Sequence, residues 1–225
     1  MHIIMRKSRS AFTRIRKYFV SAKFGASPDT VYKNSFYDDG GFARTEKTAT
    51  CITSYLFERF QPASVLDLGC GMGNYLKHFA DKGCKVVGVE GSSDALTRVP
   101  KSVLAVQHDL RQPLFINQKF DLVMSVEVAE HIPSRYSKNL VNSICRHAQN
   151  LVVFTAAPPG TPGEDHINCR DRNFWDILFK ENGFSFDEGK SAELAQYATK
   201  EDTAEWFQKR AFVYVAATRN CVSAA

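Results

Sequence analysis

Three acidic residues and a cluster of glycines carry the densest chemistry in this sequence. Asp67 stands two residues ahead of the first glycine in Asp67-Leu68-Gly69-Cys70-Gly71-Met72-Gly73; Glu90 follows 17 residues after Gly73, and Asp109 lies further on, in His108-Asp109-Leu110. Glycines are needed where the backbone must turn with positive φ or let a ligand approach without a Cβ in the way. A dinucleotide fingerprint sets its third glycine five residues after the first, to seat a pyrophosphate on a helix N-terminus. Here the interval is four, and Asp67 would repel a pyrophosphate. A carboxylate at that place suits a cationic ammonium group instead. Glu90 can accept both hydroxyls of a ribose, and Asp109 can accept from an exocyclic amine while Leu110 packs on a flat base. Together these residues describe a nucleoside that carries an amino acid and no phosphate.

A second cluster follows. Glu127, Glu130 and His131 fall within five residues, and the run Ala156-Ala157-Pro158-Pro159-Gly160-Thr161-Pro162-Gly163 leads to Glu164, Asp165, His166 and Asn168. A loop so rich in proline and glycine is neither helix nor strand, so it must cross the edge of whatever sheet it leaves, which brings His166 toward His131. An imidazole with an unperturbed pKa near 6.5 is a fitting general base; the blander role is a histidine bonded to a loop carbonyl. Glu127, Glu130, His131 and His166 also have the mixed carboxylate and imidazole character of a Mg²⁺, Mn²⁺ or Fe²⁺ site. A metal-free polar pocket is the alternative, and no residue is assigned to a metal.

These residues need a sheet to align them. Short apolar runs at 64–68, 85–89, 103–107, 120–126, 151–155 and 211–217 alternate with helical patterns at 46–60, 74–82, 93–97, 135–147 and 171–182, the rhythm of βαβ units and a parallel sheet. Most of the runs are apolar throughout, as in strands covered on both faces. Residues 184–186 form a short strand, and 192–208 is helix-prone but interrupted. Asp67, Glu90 and Asp109 then close three successive strands along one edge.

The chain has 225 residues, 44% apolar and 24% charged, with a formal charge of +5. That composition excludes disorder, a collagenous repeat and a membrane bundle, and no run of about 18 apolar residues offers a spanning helix. Seven of the basic residues and no acid lie in residues 1–28, leaving 22 basic and 24 acidic in the remainder. The charge is therefore a property of the leader, where Ala11, Phe12, Ile15, Phe19 and Val20 draw the stripe of an amphipathic helix. A lid or docking helix, a membrane-surface or nucleic-acid tail and a transit peptide all fit that stripe. The six cysteines are 14 to 61 residues apart with no CxxC pair, which reads as reduced thiols in a reducing, cytoplasmic setting.

The glycine turn from Asp67 to Gly73, Glu90, Asp109-Leu110 and Phe120-Asp121-Leu122-Val123 resemble, in order and spacing, the class I S-adenosylmethionine-dependent methyltransferases. The resemblance implies a doubly wound, Rossmann-like α/β sheet of seven strands, order 3-2-1-4-5-7-6 with the last strand antiparallel. A basic N-terminal extension and lid over residues 1–45 would precede a methyltransferase domain over 46–220. It implies S-adenosylmethionine as cofactor, with Gly69, Gly71 and Gly73 around the methionine moiety, Glu90 on the ribose and Asp109 on the adenine amine. Tyr37, Asp67, Leu110 and Glu127 complete the cofactor-binding set, and His131 and His166 are the catalytic candidates. The expected reaction is methyl transfer to an oxygen or nitrogen of a small molecule. The stretch from 156 to 183 is similar to a branch associated with glycan and other small-metabolite modification; Phe174 and Trp175 could wall the pocket or pack into the core, and Tyr197, Trp206 and Phe207 could line a cap or belong to an amphipathic helix packed on the sheet.

Glu-x-x-Glu-His followed by a later His also resembles the metal-dependent small-RNA 3′-terminal 2′-O-methyltransferases, and ubiquinone-type O-methyltransferases share that segment. The rival readings are therefore an RNA methyltransferase using the basic leader as a phosphate-binding arm and a non-catalytic, cofactor-binding partner protein.

Overall fold

The computed structural model describes residues 41–217 apart from residue 164. The basic leader, Tyr37, Glu164 and Cys221 lie outside the described residues. The elements run α1 (Gly41–Phe60), β1 (Ser64–Leu68), α2 (Asn74–Asp81), β2 (Lys85–Glu90), α3 (Ser93–Leu96), β3 (Leu104–Gln107), β4 (Phe120–Val126), α4 (Ser137–His147), β5 (Ala148–Thr155), α5 (Arg172–Glu181), β6 (Phe184–Phe186), α6 (Glu188–Lys200), α7 (Glu205–Arg210) and β7 (Phe212–Ala216). The strands form one sheet in the order β3-β2-β1-β4-β5-β7-β6. The first five run parallel, and β7 is antiparallel to both β5 and β6. The expected seven-stranded, doubly wound fold is the observed one.

The apolar strands are explained by a core on each side of the sheet. Along β5, Val152 and Phe154 face α4 and α5, where they meet Leu140, Ile144, Trp175 and Phe179. Leu151 and Val153 face the opposite layer, with Ile52 and Leu56 of α1, Leu76 and Phe79 of α2, and Leu194 and Phe207 of α6 and α7. Successive side chains of a strand point to opposite faces, so both must be apolar when helices cover both. Trp175 is fully buried, its ring 5.2 Å from Phe154. It is core, which decides between the two readings of this residue, and Phe207 is likewise fully buried.

Boundaries move by a few residues. A 3-10 turn (Ser134–Tyr136) follows Pro133 and leads into α4. The fixed φ of proline starts a helical turn readily, and it starts this shorter one. β5 begins three residues earlier than expected because Ala148 pairs with Phe120 before a register shift. The interruption in 192–208 is the turn between α6 and α7, where the Thr203 hydroxyl donates to Ala198 O and Thr48 Oγ1 accepts from Ala204 N.

Candidate active site

Parallel strands deliver their C-terminal ends to a common edge, and the described site residues lie along it in two groups. In the first, β1 leads into the glycine turn, where Gly69, Gly71 and Gly73 all have positive φ. Gly69 shows why a side chain is excluded: a Cβ there would sit 2.4 Å from Val128 Cγ2. Gly71 has open space where its Cβ would be, and its N–H donates to Glu90 Oε2 at 2.8 Å. The other oxygen, Oε1, accepts from Ser92 N at 2.8 Å. Glu90 thus ties the glycine turn to the start of α3.

Asp67 is buried with no donor for Oδ1 among the described residues. Burial, and then the charge of Glu90, push its carboxyl up to about 7. A buried acid without a partner is costly, and a cationic ligand group beside it would relieve that cost. Asp109 is gripped by Arg111, whose Nε donates to both carboxylate oxygens at 2.9 and 2.8 Å and whose Nη2 donates to Oδ2 at 2.6 Å. Partial burial opposes ionisation, but Arg111 outweighs it and holds Asp109 below its usual range. Leu110 is buried. The orphaned Asp67 oxygen, the oxygens of Glu90 and the open face of Gly71 fit a ligand with an ammonium group and a ribose.

The second group sits beyond β4 and β5. Glu127 follows the last residue of β4 with φ 52°, a conformation uncommon outside glycine. It is held there by its own N–H, which donates to Thr155 O and to Thr155 Oγ1. A 3-10 turn (Ala129–His131) then places Glu130 inward and fully buried. Glu130 Oε1 accepts from Ala157 N, and its main-chain oxygen accepts from Ile167 N and Asn168 N. Asn168 Nδ2 donates to Ala129 O and Ser137 Oγ. These bonds stitch the proline-glycine loop to the turn, and so bring residues 127–131 and 161–169 together.

The resulting chemistry is crowded. His131 and His166 lie edge to face with centroids 5.0 Å apart, and Nδ1 of each ring is paired with a loop carbonyl, Asp165 O and Thr161 O respectively. The His166 ring occupies the space a Cβ on Gly163 would need, 2.2 Å from Nε2. Burial, and then His166, push His131 down to about 4, so its ring is neutral at physiological pH. The carboxyl groups of Glu127 and Glu130 interact directly. Burial raises both, the Glu127 charge raises Glu130 further, and Arg210 draws Glu127 partly back. Glu127 Oε1 and Glu130 Oε2 are both buried with no hydrogen-bond partner among the described residues. Glu130, His131 and His166 can each offer an atom within 4.8 Å of the other two, so the buried Glu130 with two imidazoles is also compatible with a divalent cation.

Three participants, Arg210, Tyr75 and Arg111, were not singled out by sequence. Arg210, the last residue of α7, reaches Glu127 Oε2 with Nη1 at 3.5 Å. Tyr75, in the first turn of α2, has a hydroxyl that feels Asp67 and Glu127 at once, and these charges together with burial push it up. Trp206 turns its indole N–H toward that hydroxyl without closing a full hydrogen bond. The place of Arg111 two residues after Asp109 is a signal that the sequence offers; Tyr75 and Arg210 carry none beyond a position at the start or the end of a short helix. Tyr197 belongs elsewhere, packed on Tyr55 with centroids 4.8 Å apart in a groove between α1 and α6.

A family model described as a methyltransferase domain matches residues 43–217. Among curated proteins, the chain is 29% identical over 129 residues to the chloroplastic tocopherol O-methyltransferase of Arabidopsis thaliana, covering 52% of this chain and 37% of that protein. It is 29% identical over 97 residues to a ubiquinone biosynthesis O-methyltransferase of Rhodopseudomonas palustris, covering 40% and 35%. The chain therefore spans little more than a third of those relatives. Among solved structures, magnesium protoporphyrin IX methyltransferase of Synechocystis with bound S-adenosylhomocysteine superposes with TM-score 0.60 at 16% identity, covering 93% of this chain and 95% of that one. A sugar N-methyltransferase of Streptoalloteichus gives 0.63 at 14%, covering 83% and 93%. At such identities the likeness establishes a shared fold.

Proposed function

The chain belongs to the methyltransferase-domain family, and on that premise we propose that it transfers a methyl group from S-adenosylmethionine to an oxygen or nitrogen of a small molecule. The observation that carries this reading is the buried, unpartnered Asp67 beside Glu90 and the open Gly71. When bound, the cofactor would supply an electrophilic methyl group on a positively charged sulfur. Asp67 would meet the ammonium group of its methionine moiety. Glu90 would accept from the ribose hydroxyls, and Asp109, braced by Arg111, from the adenine amine beside Leu110. The tocopherol and ubiquinone biosynthesis O-methyltransferases named above are methyltransferases of small molecules, which supports that substrate class. Among the described residues no helix is long and apolar enough to cross a membrane, and five cysteines are free, in keeping with a reducing compartment.

The acceptor would lie over the second group, within reach of His131. Alignment of nucleophile, methyl carbon and sulfur supplies most of the rate in such a reaction, and the stitched loop is what would hold that alignment. His131 would collect the proton that the acceptor loses. A base as weak as His131 suffices for a hydroxyl, whose proton becomes strongly acidic as the oxygen gains the methyl group. His166 would keep that ring oriented and neutral. No step in this account depends on a metal.

The test is release of S-adenosylhomocysteine by the full chain, supplied with S-adenosylmethionine and a panel of hydroxyl- and amine-bearing small molecules. Turnover of at least one acceptor, and none of a structured RNA, is expected. Turnover of RNA alone, or none with any acceptor, would contradict the proposal.

A further inference from the structure

Arg210 stands apart from the other arginines of the active-site edge. Arg111 closes a forked pair on Asp109. Arg170 donates to Asn168 Oδ1 and Ser134 Oγ and covers the Phe174 ring. Arg210 has a side chain only 14% exposed, yet among the described residues its sole contact is the one to Glu127 Oε2 at 3.5 Å. Guanidinium groups carry five N–H donors in a flat fork, and their pairs with carboxylates are normally bidentate and near 2.7–2.9 Å. One long contact leaves a largely buried cation far short of that. Glu127 meets the fork through Oε2 alone, and its Oε1 is buried with no hydrogen-bond partner among the described residues.

The position of this fork says what it could meet. Since β7 is antiparallel, its start lies beside the end of β5, with Phe212 paired to Phe154, and Arg210 just ahead of it enters the second group of site residues. Its charge is felt by Glu127, Glu130 and Cys169, whereas Asp67 feels Glu90. Arg210 therefore lies with the groups beyond β4 and β5, where its partner Glu127 adjoins the first group through Tyr75, whose hydroxyl feels both Glu127 and Asp67. The single long contact to Glu127 Oε2 leaves the other N–H donors of the Arg210 fork for one more anionic group.

We propose that Arg210 is the recognition residue for the methyl acceptor, and that the acceptor is a small molecule bearing a carboxylate. This rests on the methyltransferase reading above and goes further by naming the chemistry that selects the substrate. Arg210 would grip the carboxylate in the bidentate geometry that Glu127 does not provide, and would orient the acceptor's nucleophile toward His131. An amide of the same shape presents only one acceptor oxygen and no charge, so it should bind worse.

The experiment is a calorimetric titration of the full chain saturated with S-adenosylhomocysteine, using two matched pairs: 4-hydroxybenzoate with 4-hydroxybenzamide, and glycolate with glycolamide. At least one acid should bind about tenfold or more tightly than its amide, the scale of a charge-assisted hydrogen bond. Arg210→Met should bring that ratio to about one while leaving the affinity for S-adenosylhomocysteine within about twofold. Arg210→Lys, which keeps the charge and loses the fork, should retain only part of the preference and decides the matter if the methionine variant does not fold. Equal binding of acids and amides, or a preference that survives Arg210→Met, would overturn the proposal. So would a loss of S-adenosylhomocysteine affinity in Arg210→Met, which would give the fork to the cofactor's own carboxylate. Failure of the unaltered chain to bind S-adenosylhomocysteine would instead strike the methyltransferase reading itself.

Discussion

The two halves of the active-site edge are built on different principles. Across β1, β2 and the residues after β3, Asp67, Glu90 and Asp109 each come from the end of one strand; Glu90 bonds Ser92 N two residues on and Gly71 N in the turn of the adjacent strand, and Asp109 is held by Arg111 two residues on. Across β4 and β5 the groups come from 127–131, 161–169 and 210, and are joined only through long-range bonds such as Ile167 N to Glu130 O and Arg210 to Glu127. In the first half Glu90 and Asp109 are satisfied by the protein and Asp67 alone is left without a donor and pushed up. In the second the perturbed groups are several and mixed, with His131 pushed down and Glu127 and Glu130 pushed up. The difference teaches that binding of a constant ligand can be written into short motifs, whereas reactivity toward a particular acceptor is assembled from separated segments.

The comparison can be broken most severely at His131. His131→Ala should lower turnover of any acceptor that the unaltered chain methylates by about 10² or more, the usual range for a general base, while S-adenosylhomocysteine binds as before. Because His131 sits at about 4 rather than near 6.5, the pH profile of kcat/KM should show no inflection from this group between about pH 5 and 9. An inflection near 6.5 that disappears in His131→Ala would show that the ring is not held neutral.

On the cofactor side the expected effect is smaller and depends on pH. Asp67 is held at about 7 by burial and Glu90, and an ammonium group beside it would pull that value down. The ligand-free protein therefore holds a proton below pH 7 that binding must release, so affinity for S-adenosylhomocysteine should rise about tenfold from pH 6 to 8 and level off above. Calorimetry in buffers of different ionisation heat checks this, and Asp67→Asn should abolish the proton release. The smallest effect is expected for Gly163→Ala, which would push the His166 ring aside. In an exposed loop the ring can turn away at little cost to stability. Turnover should fall several-fold with cofactor affinity unchanged, because a modest misplacement of a supporting group costs alignment rather than binding; equal losses in both would blur the division between halves.

What the sequence reveals follows the same division. Both-face burial makes apolar strands legible, and the glycine turn with its acids is legible because ligand chemistry and strand ends coincide there. Trp175 was open to two readings because an aromatic at helical spacing looks the same facing a pocket or a core; its contact with Phe154 decides for the core. Arg210 was missed because it lies 83 residues from Glu127, with β5, β6 and three helices between them, and nothing in α7 hints that an antiparallel β7 will turn its start toward the site. His131 and His166 were paired correctly by the crossing loop, but the downward shift of His131 depends on burial, which spacing does not report.

The central claim is that the edge formed by Asp67, Glu90 and Gly71 binds S-adenosylmethionine, and a calorimetric titration of the full chain with S-adenosylhomocysteine and, separately, with NADH tests it most directly. The account predicts one site for S-adenosylhomocysteine and none for NADH. It also predicts that Glu90→Ala weakens that site by on the order of 100-fold, since a carboxylate bonded to two backbone N–H groups and to the ribose is removed. Binding of NADH in place of S-adenosylhomocysteine, or an affinity unchanged in Glu90→Ala, would contradict it.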